Sequence, residues 1–246
     1  MSLLISKLPN GQAEIYNAVQ GEGKNTGMPC IFVRLAGCNL RCCYCDSSYT
    51  WDFEKFSDCV LKLSAIEVAN AIRALAISHK NVVFTGGEPL LQQGGLKDII
   101  QELESDGSIW HFELETNGTI CLDGALAKKL KQVNISPKLA NSGNIDSLRD
   151  NPKVIKSFLK HFLDLGLNLS FKFVISKKTV KEDLKEVEEW SEKHSISKNL
   201  IYLMPEGIEE QDIIEGSKLL NEIAMKEGYK ISYRLHVMVY GNRRGT

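Results

Sequence analysis

The chain has almost no excess of charge of either sign: 30 Lys and Arg stand against 31 Asp and Glu, a net −1. That balance removes the broad basic footprint expected of a nucleic-acid-binding domain or a protein held on an anionic membrane. No apolar run approaches the ~20 residues needed to span a bilayer. The opening Met-Ser-Leu-Leu-Ile-Ser-Lys-Leu-Pro9 has neither the charged start nor the full apolar stretch of a signal peptide. Linkers, low-complexity tracts and internal repeats are also missing, so a single domain over 1–246 is the simplest reading. The seven cysteines are an odd number, and four of them crowd into eight residues. A disulfide framework does not look like this, and reduced thiols in a cytoplasmic protein fit better.

What is present is Gly37-Cys-Asn-Leu-Arg-Cys-Cys-Tyr-Cys-Asp46, in which Cys38, Cys42 and Cys45 have C-x3-C-x2-C spacing. Three is one thiolate short of the four protein ligands of a structural zinc or an ordinary iron–sulfur cluster. Either a fourth ligand comes from Cys30, Cys59, Cys121 or one of five histidines, giving a zinc clip, or one metal position is left for a ligand that is not protein. Cys43 fits neither pattern.

Apolar, β-branched runs alternate with helical periodicity. Strands are expected at 30–35, 81–85, 110–116, 132–136, 169–175, 200–204 and 230–239. Helices are expected at 64–79, 94–105, 123–131, within 146–165, and at 209–226, with a further one opened by Thr179-x-x-Glu182. This βαβα repetition predicts an α/β fold, a mostly parallel sheet with outer helices. The cysteine loop, Thr85-Gly-Gly-Glu-Pro89, Thr116-Asn117 and Ser136-Pro-Lys138 each follow a strand, which would gather them on one rim. In the second of these, two glycines leave room for a ligand to approach the backbone, and the Glu88 carboxylate suits an ammonium group. Periodicity does not choose between an open sheet and a partial barrel.

C-x3-C-x2-C after a hydrophobic strand, followed by Gly-Gly-Glu-Pro, resembles the radical S-adenosylmethionine (SAM) enzymes. The resemblance implies an abridged (β/α) barrel and a [4Fe-4S] cluster on Cys38, Cys42 and Cys45 with SAM on the fourth iron. Val19-Gln-Gly-Glu-Gly23, Gly27-x-Pro29 and Phe32-Val-Arg-Leu-x-Gly-Cys38 narrow it to the 7-carboxy-7-deazaguanine synthase family. Glu113-Leu-Glu-Thr-Asn-Gly118, Ser136-Pro-Lys138 and the tail from Leu235 to Thr246 fit the same family.

That family is a lyase acting on 6-carboxy-5,6,7,8-tetrahydropterin, with release of ammonia, in queuosine precursor biosynthesis. SAM serves as a regenerated cofactor, and Mg2+ supports full activity. By resemblance Tyr44, Cys45, Asp46, Gly87, Glu88, Ser136, Pro137, Lys138 and, with less support, Lys172, Phe173 and Val174 face SAM. Val19, Gln20, Gly21, Glu22, Arg34, Thr85, His236 and the terminal Thr246 face the substrate, with His236 on the last strand. Ser47 stands where the family carries the threonine that meets Mg2+. The resemblance also implies an electron donor such as flavodoxin or ferredoxin and a homodimer. A glycyl-radical-enzyme activase, with the same cluster acting on a protein partner, is the competing enzyme class.

From the residues themselves, Glu22 can accept two N–H groups, Gln20 can donate and accept, and Arg34 can grip a carboxylate as a fork.

Overall fold

The computed structural model describes residues 2–246. Its strands are β1 (Ser2–Ser6), β2 (Ile15–Val19), β3 (Pro29–Leu35), β4 (Val60–Ser64), β5 (Asn81–Gly86), β6 (His111–Thr116), β7 (Leu130–Ile135), β8 (Asn168–Ile175), β9 (Ile201–Pro205) and β10 (Lys230–Ile231). The helices are α1 (Ala65–Leu75), α2 (Gln93–Glu104), α3 (Gly124–Ala127), α4 (Asp146–Arg149), α5 (Pro152–Leu165), α6 (Val180–His194), α7 (Glu210–Glu227) and α8 (Leu235–Tyr240).

All ten strands belong to one sheet, and seven of them pair in parallel in the order β3-β5-β6-β7-β8-β9-β10. Spatial order follows chain order without reversal. With right-handed crossovers, the connecting helices then all fall on one face, and the sheet rolls into a barrel rather than a doubly wound sandwich. The barrel stays open: beyond β3 the sheet continues through antiparallel β1 and β4, with β2 also paired to β3. This settles the choice that periodicity left open, in favour of the partial barrel.

The strands alternate in a way that separates core from lumen. On β8, Leu169, Phe171, Phe173 and Ile175 join the helix-facing core, whereas Ser170 and Lys172 are buried on the other face. On β6, Phe112 and Leu114 face the helices, and Glu113 is buried on the other side. Polar residues buried in this way hold a strong hydrogen-bonding demand, which the lumen satisfies internally.

Several expectations are corrected. The strands β1, β2 and β4 were not anticipated. They are short, and two of them carry a charged or amide side chain mid-run. Helix α1 has the expected capping box, with Ser64 Oγ accepting Glu67 N–H at 3.2 Å and Glu67 Oε2 accepting Ser64 N–H at 2.7 Å, but it stops at Leu75. Thr179 does not cap α6 with its side chain; its hydroxyl donates to Asp183, whose carboxylate instead accepts the Ser176 N–H at 2.8 Å. The final strand is only two residues, and His236 lies on helix α8. The alternating apolar run there is overridden by tertiary contacts: Arg234 turns inward to Glu22, and Leu235 N–H donates to the Gly21 carbonyl at 3.0 Å.

Candidate active site

The parallel strands end at a cavity of about 260 Å³. Cys38, Leu40, Cys42, Tyr44, Cys45 and Trp51 form one wall, and residues 241–246 lie over another. Three of the thiols share this cavity, and each sulfur has an N–H within reach. Leu40 N–H approaches Cys38 Sγ at 3.5 Å, the Asn144 amide approaches Cys42 Sγ at 3.2 Å, and the Trp51 indole approaches Cys45 Sγ at 3.4 Å. Such donors stabilise metal-bound thiolate. Burial pushes the Cys38 thiol up to about 11 and raises that of Cys42, so without metal these thiols stay protonated and metal must displace the protons. Arg41 braces the loop, donating to the Cys38 and Leu40 carbonyls while stacking on Trp51.

Cys43 turns outward against the Asn141 carbonyl at 3.2 Å. Of the fourth ligands a zinc clip could draw on, Cys30, Cys59 and Cys121 do not line the cavity, and of the histidines His236 does, on the side of Glu22. Among the described residues, no three His, Cys, Asp or Glu side chains converge on a single ion. Three spaced thiols around one open volume fit a cluster that fills the space between them.

The Gly86-Gly87-Glu88 turn differs from its expected role in the reason for its glycines. Gly86 has φ +128°, and a Cβ there would fall 2.1 Å from the Leu35 carbonyl oxygen; one on Gly87 would fall 2.1 Å from that of Gly37. The glycines therefore let this turn pack on the cysteine loop, where Gly87 and Glu88 N–H groups donate to Leu35 and Gly37 carbonyls at 3.0 and 2.7 Å. Glu88 is fully buried and does not line the cavity; it accepts from Leu90 N, Thr116 Oγ1 and Asn117 N. Pro137 and Phe173 also do not line the cavity, and Phe173 packs on Trp190 instead.

The other expected residues do converge. Val19, Gln20, Gly21, Glu22, Arg34, Tyr44, Asp46, Ser47, Thr85, Gly87, Ser136, Lys138, Lys172, Val174, His236 and Thr246 all line the cavity. Below the cysteines sits a charged layer. Glu22 pairs with Lys172 at 2.7 Å and with Arg234 at 3.1 Å, and lies 3.9 Å from His236 Nε2. Arg234 also pairs with Asp46, and Lys172 reaches Glu115 at 3.4 Å. Burial pushes the Glu22 carboxyl up, but Lys172, Arg234 and His236 together outweigh it and hold it well below the usual range. Gly21 is required here because a Cβ would fall 2.4 Å from His236 Nδ1.

A second layer lies deeper. Glu113 accepts from Gln20 Nε2 at 2.8 Å, from Asn25 Nδ2 at 2.6 Å and from Asn134 Nδ2. Burial, then the nearby Glu115 charge, raises its carboxyl to about 7. Gln20 is thus held at both ends, its Oε1 accepting Glu22 N–H at 3.2 Å. Arg34 is held by Glu14 at 3.0 Å and donates to Tyr16 OH at 3.1 Å. Sequence reasoning missed Glu14, Tyr49, Glu115, Asn134 and Arg234 as site residues, which come from five separated segments; for Glu115 the signals were its place in Glu113-Leu-Glu-Thr-Asn-Gly118 and the strand alternation that it shares with Glu113.

The radical SAM superfamily model matches residues 33–215. A 7-carboxy-7-deazaguanine synthase of Pyrobaculum aerophilum is 35% identical over 94% of this chain and 95% of its own. One of Rhodopirellula baltica is 32% identical over 100% of this chain and 89% of its own. The crystal structure of QueE from Escherichia coli superposes with a TM-score of 0.68 at 23% identity, covering 96% of this chain and 95% of that one. A structure of anSMEcpe with bound AdoMet reaches 0.54 at 16% identity, over 80% and 60% of the two chains. With an open parallel barrel, three cysteines on its rim and relatives matched nearly end to end, this chain belongs to the 7-carboxy-7-deazaguanine synthase family of radical SAM enzymes.

Proposed function

We propose that the protein converts 6-carboxy-5,6,7,8-tetrahydropterin to 7-carboxy-7-deazaguanine with release of ammonia. The observation that carries this reading is the arrangement of charge in the cavity. Around Glu14, one carboxylate serves two guanidinium groups, Arg34 and Arg244, leaving a cation in excess. Around Glu22, the carboxylates of Glu22, Glu115 and Asp46 outnumber Lys172 and Arg234. A small heterocycle with a carboxylate at one end and amino-pyrimidinone N–H groups at the other complements both clusters.

A [4Fe-4S] cluster on Cys38, Cys42 and Cys45 supplies, with SAM, the one-electron cleavage that starts the radical reaction. This chain's residues orient and enclose the reactants. Tyr44, Gly87, Ser136 and Lys138 serve SAM, with Lys138 held to Ser136 Oγ at 2.8 Å. Val174 adds an apolar edge. Gln20, Glu22, Arg34, Thr85 and His236 serve the pterin, and Lys172 positions Glu22 rather than SAM. Ser47 offers Mg2+ a hydroxyl beside Asp46, an oxygen donor set that suits the ion. Roofing by residues 241–246 excludes water and stray hydrogen donors; a peptide-activating enzyme would need an open groove there.

The chain is further proposed to act as a single domain within a homodimer, reduced by a flavodoxin or ferredoxin. Among the described residues no helix is long and apolar enough to cross a membrane. The test is anaerobic incubation of the reconstituted protein with SAM and the pterin. The proposal expects a deazapurine carboxylate and one equivalent of ammonia; 5′-deoxyadenosine formed only with a peptide substrate would replace it with the activase reading.

A further inference from the structure

Four segments distant in the chain meet on one carboxylate. Glu14 immediately precedes β2, with its side chain 0% exposed. Its Oε1 accepts from Arg34 Nε at 3.0 Å and from Tyr49 OH at 2.9 Å. Its Oε2 accepts from Arg244 Nη2 at 2.8 Å, and the same nitrogen donates to the Lys7 carbonyl at 2.6 Å. The Arg244 guanidinium lies 3.5 Å from the centroid of the Tyr49 ring, a cation–π stack. Two residues further on, Thr246 closes the chain beside the cavity, its hydroxyl donating to the Arg243 carbonyl at 2.9 Å.

Beyond Gly241, whose N–H donates to the Val237 carbonyl, no backbone N–H of the tail has a backbone partner among the described residues. The tail is therefore held by side chains. Arg244 makes its strongest set: an ion pair with a buried carboxylate, a hydrogen bond to a carbonyl and a stack. The carboxylate it uses is the one that fixes Arg34, the cation suited to a substrate carboxylate. Removing Arg244 would free the tail and also change the charge balance at Arg34, because Glu14 would then neutralise one guanidinium instead of sharing itself between two.

We propose that Arg244 is a positioning residue, which locks the C-terminal tail over the cavity through the carboxylate that orients Arg34. Tail closure and the charge offered to an anionic substrate are thereby set together. This rests on the proposed substrate in one respect only, that the substrate bears a carboxylate. Arginine is specific to the role. Lysine can pair with Glu14 but lacks the planar guanidinium face that covers the Tyr49 ring.

The test compares wild type, Arg244→Ala and Arg244→Lys in two measurements. The first is the rate at which carboxypeptidase releases Thr246 from the anaerobically reconstituted, cluster-bearing protein, followed by mass spectrometry. The second is KM for 6-carboxytetrahydropterin and for SAM in the reconstituted enzyme. Arg244→Ala should release Thr246 several-fold faster and raise KM for the pterin about tenfold, the effect of losing ~1.4 kcal/mol of binding. KM for SAM should stay close to wild type, and Arg244→Lys should recover part of both losses. An unchanged release rate overturns the latch. Faster release with an unchanged pterin KM overturns its link to substrate, as does an equal rise of both KM values. If wild type does not turn over the pterin at all, the substrate reading fails, and the latch is judged by Thr246 release alone.

Discussion

The carboxylate of Glu88 accepts the backbone N–H of Asn117 at 2.7 Å, tying the turn after β5 to the turn after β6 directly behind the cysteine loop. With Leu90 N–H and Thr116 Oγ1 also donating to it, Glu88 is a buried bracket of the rim. Glu88→Gln would set an amide N–H₂ against groups that are themselves donors. An unsatisfied buried donor costs about 1–3 kcal/mol. The expected outcome is a lower Tm and poorer iron loading, with SAM affinity per assembled cluster unchanged. A variant that keeps its Tm but binds SAM weakly would return Glu88 to the set of SAM ligands.

Only Cys38, Cys42 and Cys45 share the cavity, so alanine at any of them should abolish cluster assembly. Cys43 is exposed and turned to the Asn141 carbonyl, and Cys43→Ala should keep its iron. Iron and sulfide per chain after anaerobic reconstitution decide this. Equal loss in all four variants would contradict the assignment.

Ser47→Ala removes the proposed Mg2+ hydroxyl and leaves the Cys45 thiol and the Trp51 donor to it in place. The variant should assemble its cluster normally and lose most of the Mg2+ stimulation of turnover. Titration of turnover against Mg2+ checks it; a wild-type response would strike Ser47 from the site.

The buried Glu113 gives a pH signature with a definite sign. Its folded carboxyl is raised to about 7 from an ordinary value of 4.5, so between those values the folded chain holds a proton that the unfolded chain releases. The stability from this group is fully present below pH 4.5 and is lost as pH rises through about 7. Glu113→Gln removes that dependence. The difference in Tm, variant minus wild type, should therefore become more positive from pH 5 to pH 8, whatever offset the lost acceptor introduces. Raising a pKa by one is worth about 1.4 kcal/mol, so the whole swing is on the order of 3 kcal/mol. A difference that stays flat across this range would contradict the raised carboxyl.

Much of the rim was legible in the sequence because its motifs are local. C-x3-C-x2-C, Thr85-Gly-Gly and Ser136-Pro-Lys138 each follow a strand whose apolar pattern is unambiguous, and parallel strands bring their C-terminal ends together. The lumen was only half legible. Gln20, Glu22 and Arg34 are visible as residues, but their partners Glu14 and Arg234 belong to no short motif, and Glu113 lies in one that does not show its pairing with Gln20. Contacts also decide what periodicity cannot: Lys230 to Val239 reads as a strand, yet the strand ends at Ile231, Arg234 and Leu235 are drawn onto the Gln20–Gly23 segment, and the chain coils into α8. Glu88 shows the converse. Its motif is legible in position, but its bonds to Leu90, Thr116 and Asn117 are not, because a sequence does not show which way a carboxylate turns.

The sharpest test of the proposed reaction is mass spectrometry of a single anaerobic mixture containing reconstituted protein, SAM, Mg2+, a reductant and carboxytetrahydropterin deuterated at C6. The expected result is 7-carboxy-7-deazaguanine as product, ammonia in equal amount, and deuterium in SAM recovered at its starting concentration. Loss of SAM to an equal amount of 5′-deoxyadenosine, with the pterin unchanged, would contradict the proposal.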